Sequence, residues 1–304
     1  MEPAVPGPDL HPGVPAVHAD PRLDGERAMR TSDARARTAD GERDRRIYAL
    51  RYGTRSAERS EIYLNYRLYG EADRVDVMDY FVWVVRDAGG VTLIDTGYNI
   101  RSGGRRGRTM LIEPPAALAA IGIGPTEVDR IVVTHGHYDH TGNVEAFPNA
   151  QVIMARAEFD FWTGPYANRI QFADYREAED IAHLSQLAGT PRLVLLDDTT
   201  TIAPGVRARI VGGHTPGQLL VEVDDAAGTV VIASDVIHYY EEVERDMPFA
   251  VVSDVPGMYH GYEMIRSLAA NAGTRVVAGH DPEVMRRFPP IAGHPGLGVM
   301  LSVV

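Results

Sequence analysis

The sequence predicts an α/β (α+β) domain of two β-sheets packed face to face with helices outside, preceded by a disordered N-terminal tail. Two observations point there. The texture of the 304-residue chain changes at Ile47, from a segment rich in Pro, Ala, Asp and Arg to short apolar runs broken by turn residues. The elements predicted beyond that point run as a strand-rich half, helices, a second strand-rich half and a last helix. Each half supplies a sheet with one apolar face to hide, and hiding it against the other is the simplest layered solution.

From Met1 to Arg46 the charge is mixed and no apolar period is sustained, so too little surface can be buried to offset ordering entropy. Residues 1–46 are therefore expected to be a disordered tail, with Met29 as an alternative start, and 47–304 the folded domain. Strands are expected at Ile47–Arg51, Ile62–Leu68, Tyr80–Arg86 and Val91–Asp95, with Asp87–Gly90 as a hairpin turn. A helix follows at Pro115–Ile121, then strands at Arg130–Thr134 and near Gln151–Met154, and helical segments within Arg156–Trp162 and Tyr175–Leu187. The second half reads as strands at Leu193–Leu196, Val206–Val211, Leu219–Val223 and Thr229–Ala233, a helix at Gly257–Ala269 and a strand at Thr274–Ala278. No short-period repeat of the solenoid kind is present.

Composition narrows the chemistry. The formal net charge of -12 opposes binding by neutralisation of phosphates, which needs a basic field, so nucleic acid is not the expected partner. No run approaches the roughly 20 apolar residues of a membrane helix, and no secretory apolar core is seen, so a cytoplasmic protein with no membrane partner is expected. The chain contains neither cysteine nor lysine. Thiolate nucleophiles, disulfides, thiolate metal sites, Schiff bases and the phosphate-loop lysine are thereby excluded. Histidine, carboxylate, hydroxyl and metal chemistry remain.

The segment Thr134-His135-Gly136-His137-Tyr138-Asp139-His140 follows directly on the apolar run Ile131-Val132-Val133. In extended backbone, side chains two apart point the same way, so His135 and His137 can converge on one metal, while Asp139 and His140 fall on the bend and can face a second ion. Three later segments each place one ligand-type residue just after an apolar strand: His214, Asp235 and His280. Strands sharing a sheet edge bring their ends together, so His135, His137, Asp139, His140, His214, Asp235 and His280 can line one pocket. Imidazole and carboxylate without thiolate suit zinc, and also manganese, iron or cobalt.

This pattern resembles the metallo-β-lactamase-fold hydrolases, over a stretch from about Ile47 to the C-terminus. The resemblance implies a four-layer αββα sandwich and two divalent metal ions, expected to be zinc, with His135, His137 and His214 on one. Asp139, His140 and His280 would hold the other, with Asp235 bridging. Leu93-Ile94-Asp95-Thr96-Gly97 resembles the family's early strand-end motif, and Asp95 would orient a ligand histidine from behind.

Within the family, the N-acyl homoserine lactonase branch is the most similar, through Met78-Asp79-Tyr80-Phe81-Val82-Trp83, the Pro114-Pro115 helix start, Thr134–Asn143 and Gly279-His280-Asp281-Pro282. Lactonases of that branch carry a substrate-contacting tyrosine three residues after the bridging aspartate; this chain has His238 there, followed by Tyr239 and Tyr240, which makes all three candidate substrate contacts. The implied reaction is attack of a metal-bridging hydroxide on the carbonyl of a small-molecule lactone or ester. Asp139 or Asp235 would serve as the acid/base that carries the proton to the leaving alkoxide. Alternatives are another ester or thioester hydrolase, of the glyoxalase II or biosynthetic thioesterase kind, and an iron-dependent oxidoreductase. Diiron reductases of the fold, however, have Glu at the position of His137.

Other features have plainer readings. His11, His18, His183, His260 and His294 lack the strand-end context and are read as non-ligands. Phe159, Phe161, Trp162 and Tyr166 could wall an acyl chain, with helix-on-sheet packing the favoured reading. The Arg101–Arg108 run could bind a carboxylate or phosphate, with a mobile solvated loop near the pocket or a homodimer contact the favoured reading, and Val236–Glu244 reads as a loop over the site.

Overall fold

The computed structural model describes residues 44–303. Most of the tail expected over 1–46, with Met29, His11 and His18, lies outside the described residues. Order is already present before Ile47. Arg45 is buried, with its guanidinium 2.8 Å from the Asp87 carboxylate and donating to the backbone oxygens of Asp224 and Pro204.

Strand β1 (Arg46–Glu58) opens the first sheet and is followed by a short helix α1 (Arg59–Ile62). The hairpin β2 (Val75–Asp87) and β3 (Gly90–Ile94) comes next, turning where the sequence predicted. Helix α2 (Ile100–Arg105), the two-residue β4 (Thr109–Met110) and α3 (Pro114–Ala120) lead to β5 (Val128–Val132). After α4 (Tyr138–Thr141) come β6 (Gln151–Ala155), α5 (Arg156–Thr163), a short α6 (Ile170–Ala173), α7 (Ala178–Leu187) and β7 (Leu193–Leu196). The second half holds β8 (Thr200–Ala203), β9 (Val206–Ile210), β10 (Leu219–Asp225), β11 (Gly228–Ser234) and α8 (Tyr240–Arg245). It ends with α9 (Val255–Ala269), β12 (Arg275–Ala278), α10 (Val284–Arg287) and β13 (Gly298–Met300).

These strands form an eight-stranded sheet, ordered β13-β1-β2-β3-β5-β6-β7 with β4 added to β1, and a five-stranded sheet ordered β12-β11-β10-β9-β8. Strand alternation sorts the side chains onto two cores. Ile47, Ala49, Phe81, Trp83 and Val85 face the second sheet and meet Val221, Val223, Val230 and Ile232. Their neighbours Tyr48, Leu50, Tyr80, Val82 and Val84 face the outer helices with Leu118, Ile181 and Leu184. Helix α9 covers the far side of the second sheet through Met258, Tyr262 and Ile265. The result is the αββα sandwich expected.

Three expectations are corrected. Ile62–Leu68 is not a strand: Ile62, Tyr63 and Tyr66 are buried at helical rather than alternating spacing, Leu68 is 69% exposed, and Asn65 sits at φ 52, which interrupts any extended path. The Arg101–Arg108 run is not an open loop, because it contains most of α2 and docks on α7 through ion pairs of Arg101 with Glu179 and of Arg105 and Arg106 with Glu177. Val236–Glu244 contains the first residues of α8 rather than a free loop, and Val236, His238 and Tyr240 are all buried. No helix among the described residues is long and apolar enough to cross a membrane.

Candidate metal centre

Strand ends position every candidate ligand. The chain leaves β3 into Asp95, β5 into His135 and β11 into Asp235. Asp95 and Ser234 turn at φ 59 and 45, left-handed values uncommon outside glycine. Asp95 is held there by its own N–H on the Val132 oxygen at 2.8 Å. Gly136 has to be glycine, since a Cβ would lie 2.2 Å from the Trp162 ring.

The seven residues named from the sequence converge as two groups, His135, His137, His214 and Asp235 in one and Asp139, His140 and His280 in the other, with the ligand atoms of each within 4.8 Å of one another. Asp235 faces both. Its Oδ2 lies 3.5 Å from His214 Nε2 and 3.7 Å from His135 Nε2, while its Oδ1 lies 3.2 Å from His280 Nε2 and 3.5 Å from His140 Nε2. Asp139 is partly exposed towards the cleft, 3.9 Å from His140 Nε2.

The donor chemistry fits cations. His214 Nδ1 donates to the Val251 oxygen at 2.7 Å, and His280 Nδ1 to the Asp79 oxygen at 2.8 Å. His140 Nδ1 donates to Asp95 Oδ2 at 2.7 Å. These partners are acceptors only, so each ring keeps a proton on Nδ1 and turns Nε2 inward. Burial opposes ionisation of His140, but Asp235, Asp95 and Asp139 raise it well above the usual imidazole range, a field that a cation at Nε2 would answer in place of a proton. The Nε2 atoms of His140 and His280 are buried without a hydrogen-bond partner. His137 Nδ1 meets His135 Nε2 at 2.9 Å and His214 Nε2 at 3.0 Å. One proton cannot serve three converging nitrogens, whereas one cation can. Burial also pushes His135, His137 and His214 below the usual imidazole range, His137 to about 4, so they are neutral and able to ligate at pH 7. This His/Asp cluster has the donor set and geometry that a divalent metal ion requires.

Behind the ligands, Asp95 also accepts from the Thr134 N–H and hydroxyl at 2.8 Å each. Sequence reasoning missed Glu158. Its buried carboxylate takes the N–H of Gly136 at 2.8 Å and of Gly217 at 2.7 Å, together with the Trp162 indole N–H, and so ties the first histidine loop to the loop after His214. The signal available was the glycine beside each ligand, not the glutamate itself.

The centre floors a cleft of about 270 Å³ lined by Arg55, Tyr80, Arg108, Tyr138, Tyr175 and His238 among others. His238 is 1% exposed, stacked on Phe249 with ring centroids 3.6 Å apart, and its Nε2 is 3.0 Å from Asp235 Oδ2. Burial opposes its ionisation, but Asp235 and Glu242 on either side raise it to about 9. Tyr239 and Tyr240 are not brought to this cleft; their hydroxyls donate to the Val77 and Val276 oxygens. An adjoining lobe of about 250 Å³ shares His137, Tyr175, His214 and Val251 and is walled by Phe161, Trp162 and Phe172. Of the aromatic quartet, Phe161 and Trp162 thus reach the pocket, whereas Tyr166 is 63% exposed elsewhere. His183, His260 and His294 join neither ligand group.

A family model described as the metallo-beta-lactamase superfamily matches residues 75–280. N-acyl homoserine lactonase AttM of Azorhizobium caulinodans is 28% identical over 197 residues, which is 59% of this chain and 68% of that protein. An N-acyl homoserine lactonase of Bacillus cereus is 30% identical over 137 residues, 44% of this chain and 48% of its own, so the chain spans about half the length of that relative. Among solved structures, a quorum-quenching N-acyl homoserine lactone lactonase superposes with TM-score 0.68 at 18% identity, covering 82% of this chain and 97% of that one. AidC, a dizinc quorum-quenching lactonase with bound product, gives 0.60 at 21% identity over 79% and 88%. At such identities the structural likeness establishes the fold.

Proposed function

The chain belongs to the metallo-beta-lactamase superfamily as a metal-dependent hydrolase of ester bonds, and we propose that it opens a lactone of the N-acyl homoserine lactone kind. The observation that carries this reading is the single carboxylate of Asp235 turned towards both ligand groups beneath a cleft with an apolar lobe. His135, His137 and His214 would hold one zinc ion and Asp139, His140 and His280 a second, with Asp235 shared. Two such ions would supply a water acidified towards neutrality and a polarised ester carbonyl.

The chain's own residues do the rest. Asp139, the most open of the ligand carboxylates, takes the proton released as the C–O bond forms and returns it to the alkoxide oxygen as the ring C–O bond breaks. Such proton transfer contributes roughly a hundred- to ten-thousandfold. In a lactone the alkoxide stays attached, so one hydroxy acid leaves. His238, where lactonases of this branch carry tyrosine, presents an N–H donor beside Asp235 to the substrate oxygens. Phe161, Trp162, Phe172 and Val251 take the acyl chain and exclude water from it.

The test is the ring-opening rate of zinc-loaded protein on short- and long-chain acyl homoserine lactones, other lactones, simple esters and thioesters, with His137→Ala as control. Opening of homoserine lactones that is lost in the variant is the expected result. Turnover confined to another ester or thioester would discard the signal-degrading role and keep the hydrolase.

A further inference from the structure

Arg55 and Arg108 are the two arginines that line the metal cleft, and both are half-buried there. The β1–β4 register pairs Gly53 with Met110 and Thr54 with Thr109. The next step along it sets Arg55 opposite Arg108. Like charges opposed across antiparallel strands repel, and arginine cannot relieve the repulsion by losing a proton.

Arg59, Arg106 and Arg45 are answered by carboxylates, Arg59 by Asp76 and Glu241, Arg106 by Glu177 and Arg45 by Asp87, while the half-buried Arg130, Arg176 and Arg192, outside the cleft, spend their terminal N–H groups on neutral oxygens of Gly89, Asn168 and Phe147. Among the described residues, Arg55 and Arg108 form no ion pair. Arg55 Nε donates to the Met78 sulfur at 3.2 Å, and Arg108 donates to the Tyr138 hydroxyl at 3.0 Å and the Arg106 oxygen at 2.7 Å. That leaves terminal N–H groups on both guanidiniums. The acids of the cleft are Glu61 and Asp174, both exposed at its rim, and Asp139 and Asp235 on the ligand side.

We propose that Arg55 and Arg108 clamp a carboxylate, so that the substrate of this hydrolase bears an acid group on an arm separate from its scissile ester. Planar guanidiniums bind carboxylates through paired N–H donors, and a partly desolvated site strengthens the bond. The substrate class is then amphiphilic, with its apolar arm in the lobe of Phe161 and Phe172 and its acid at the two arginines. The inference rests on the hydrolase reading of the site, which supplies the ester between the two arms, and narrows the lactone proposed above to one that carries a free carboxylate, which a simple N-acyl homoserine lactone does not.

The deciding measurement is calorimetric binding to the zinc-loaded protein of dicarboxylates from succinate to adipate, each compared with its monoamide. One carboxylate is common to both ligands and stands for the acid that ester cleavage itself creates; the difference isolates the second. The best-fitting dicarboxylate is expected to bind roughly tenfold or more tightly than its monoamide, as charge-assisted bonds of this kind allow. That ratio should fall towards one in Arg55→Gln and in Arg108→Gln, and be partly kept in Arg108→Lys. Arg55→Gln leaves the Arg108–Tyr138 bond untouched, which guards against a folding defect in the other variant. Equal binding of diacid and monoamide at every length would overturn the clamp. Variants that weaken both ligands equally would also overturn it, placing the arginines on the product carboxylate instead. Absence of ester turnover would count against the hydrolase reading alone, because the binding ratio is read without turnover.

Discussion

Asp95 is fully buried, sits at a left-handed φ, and accepts from Thr134 twice and from His140 once. Its effect on the metal centre runs through the His140 tautomer. With the carboxylate accepting at Nδ1, the lone pair is on Nε2 and points at Asp235 and Asp139. Asp95→Asn keeps the volume but offers one oxygen and one NH2 where three donors need acceptors, and an NH2 facing Nδ1 drives the proton to Nε2. The expected outcome is a loss of roughly ten- to a hundredfold in affinity for one equivalent of zinc, the magnitude typical when a ligand's supporting partner is removed. The other equivalent should fall less. Chelator competition in the folded variant measures both, and two unchanged affinities would refute this role. A wrong tautomer, rather than a lost charge, is the cause argued for, so Asp95→Glu should also fail, because the longer acid cannot reach Nδ1 without displacing Thr134.

At the scale of elements, helix α7 begins with more acid than its neighbours answer. Glu177 is paired with Arg105 and Arg106 and Glu179 with Arg101, all from or beside α2, while Asp180 keeps a buried Oδ2 with no hydrogen-bond partner among the described residues. Burial, then Glu177 and Glu179, push Asp180 up to about 7 from 3.8. The sign follows from which state holds the proton. Below about pH 4 both folded and unfolded chains hold it; between about 4 and 7 only the folded chain does, so stability falls as pH rises; above 7 the full penalty stands. Asp180→Asn should therefore stabilise the protein at pH 8 by about 1–2 kcal/mol, after discounting for solvent and the nearby arginines, and by less at pH 5. Denaturant unfolding at the two pH values checks this, and an equal gain at both would disprove the titration. This docking also shows where the sequence was hard to read. Strands that are continuous apolar runs, such as Tyr80–Arg86 and Leu193–Leu196, were legible because such runs bounded by polar or turn residues stand out in the sequence, and the ligands were legible because each follows such a strand. The arginine run was misread because its partners stand some 70 residues away in a helix. Strands β4, β8 and β13 escaped because Thr109-Met110, Thr200–Ala203 and Gly298–Met300 are short and open on Thr or Gly rather than forming an apolar run, and β13 is paired with β1. Arg55 and Glu158 were invisible as site residues because register and loop packing bring them there.

For the whole molecule, the candidate metal centre stands where the two sheets meet, and with its ions bound it would be a joint between them. Asp95 and His135 to His140 leave the first sheet, and His214, Asp235 and His280 leave the second, so cations held by both sets tie the halves together at one edge. Without them the two sheets are joined mainly by the apolar core behind the site, from Trp83 and Ile94 to Val221 and Ile232. The inward Nε2 atoms of His140 and His280 and the Asp235 carboxylate would then lie buried with no metal cation to answer them, which is costly. Chelation should consequently lower the thermal midpoint, and restoring zinc at a thousandfold excess over its dissociation constant should return about 4 kcal/mol of stability by mass action. Hydrogen exchange distinguishes a joint from a merely local ligand effect. Amides at the ends of both β5 and β11, which belong to different sheets, should lose protection together on zinc removal, while the hairpin turn at Asp87–Gly90 should not change. Loss confined to one sheet would mean that the ions organise a loop. Loss at both ends means that the reaction centre and the seam of the sandwich are one structure, so that a variant weakening zinc binding is expected to lower stability and activity together.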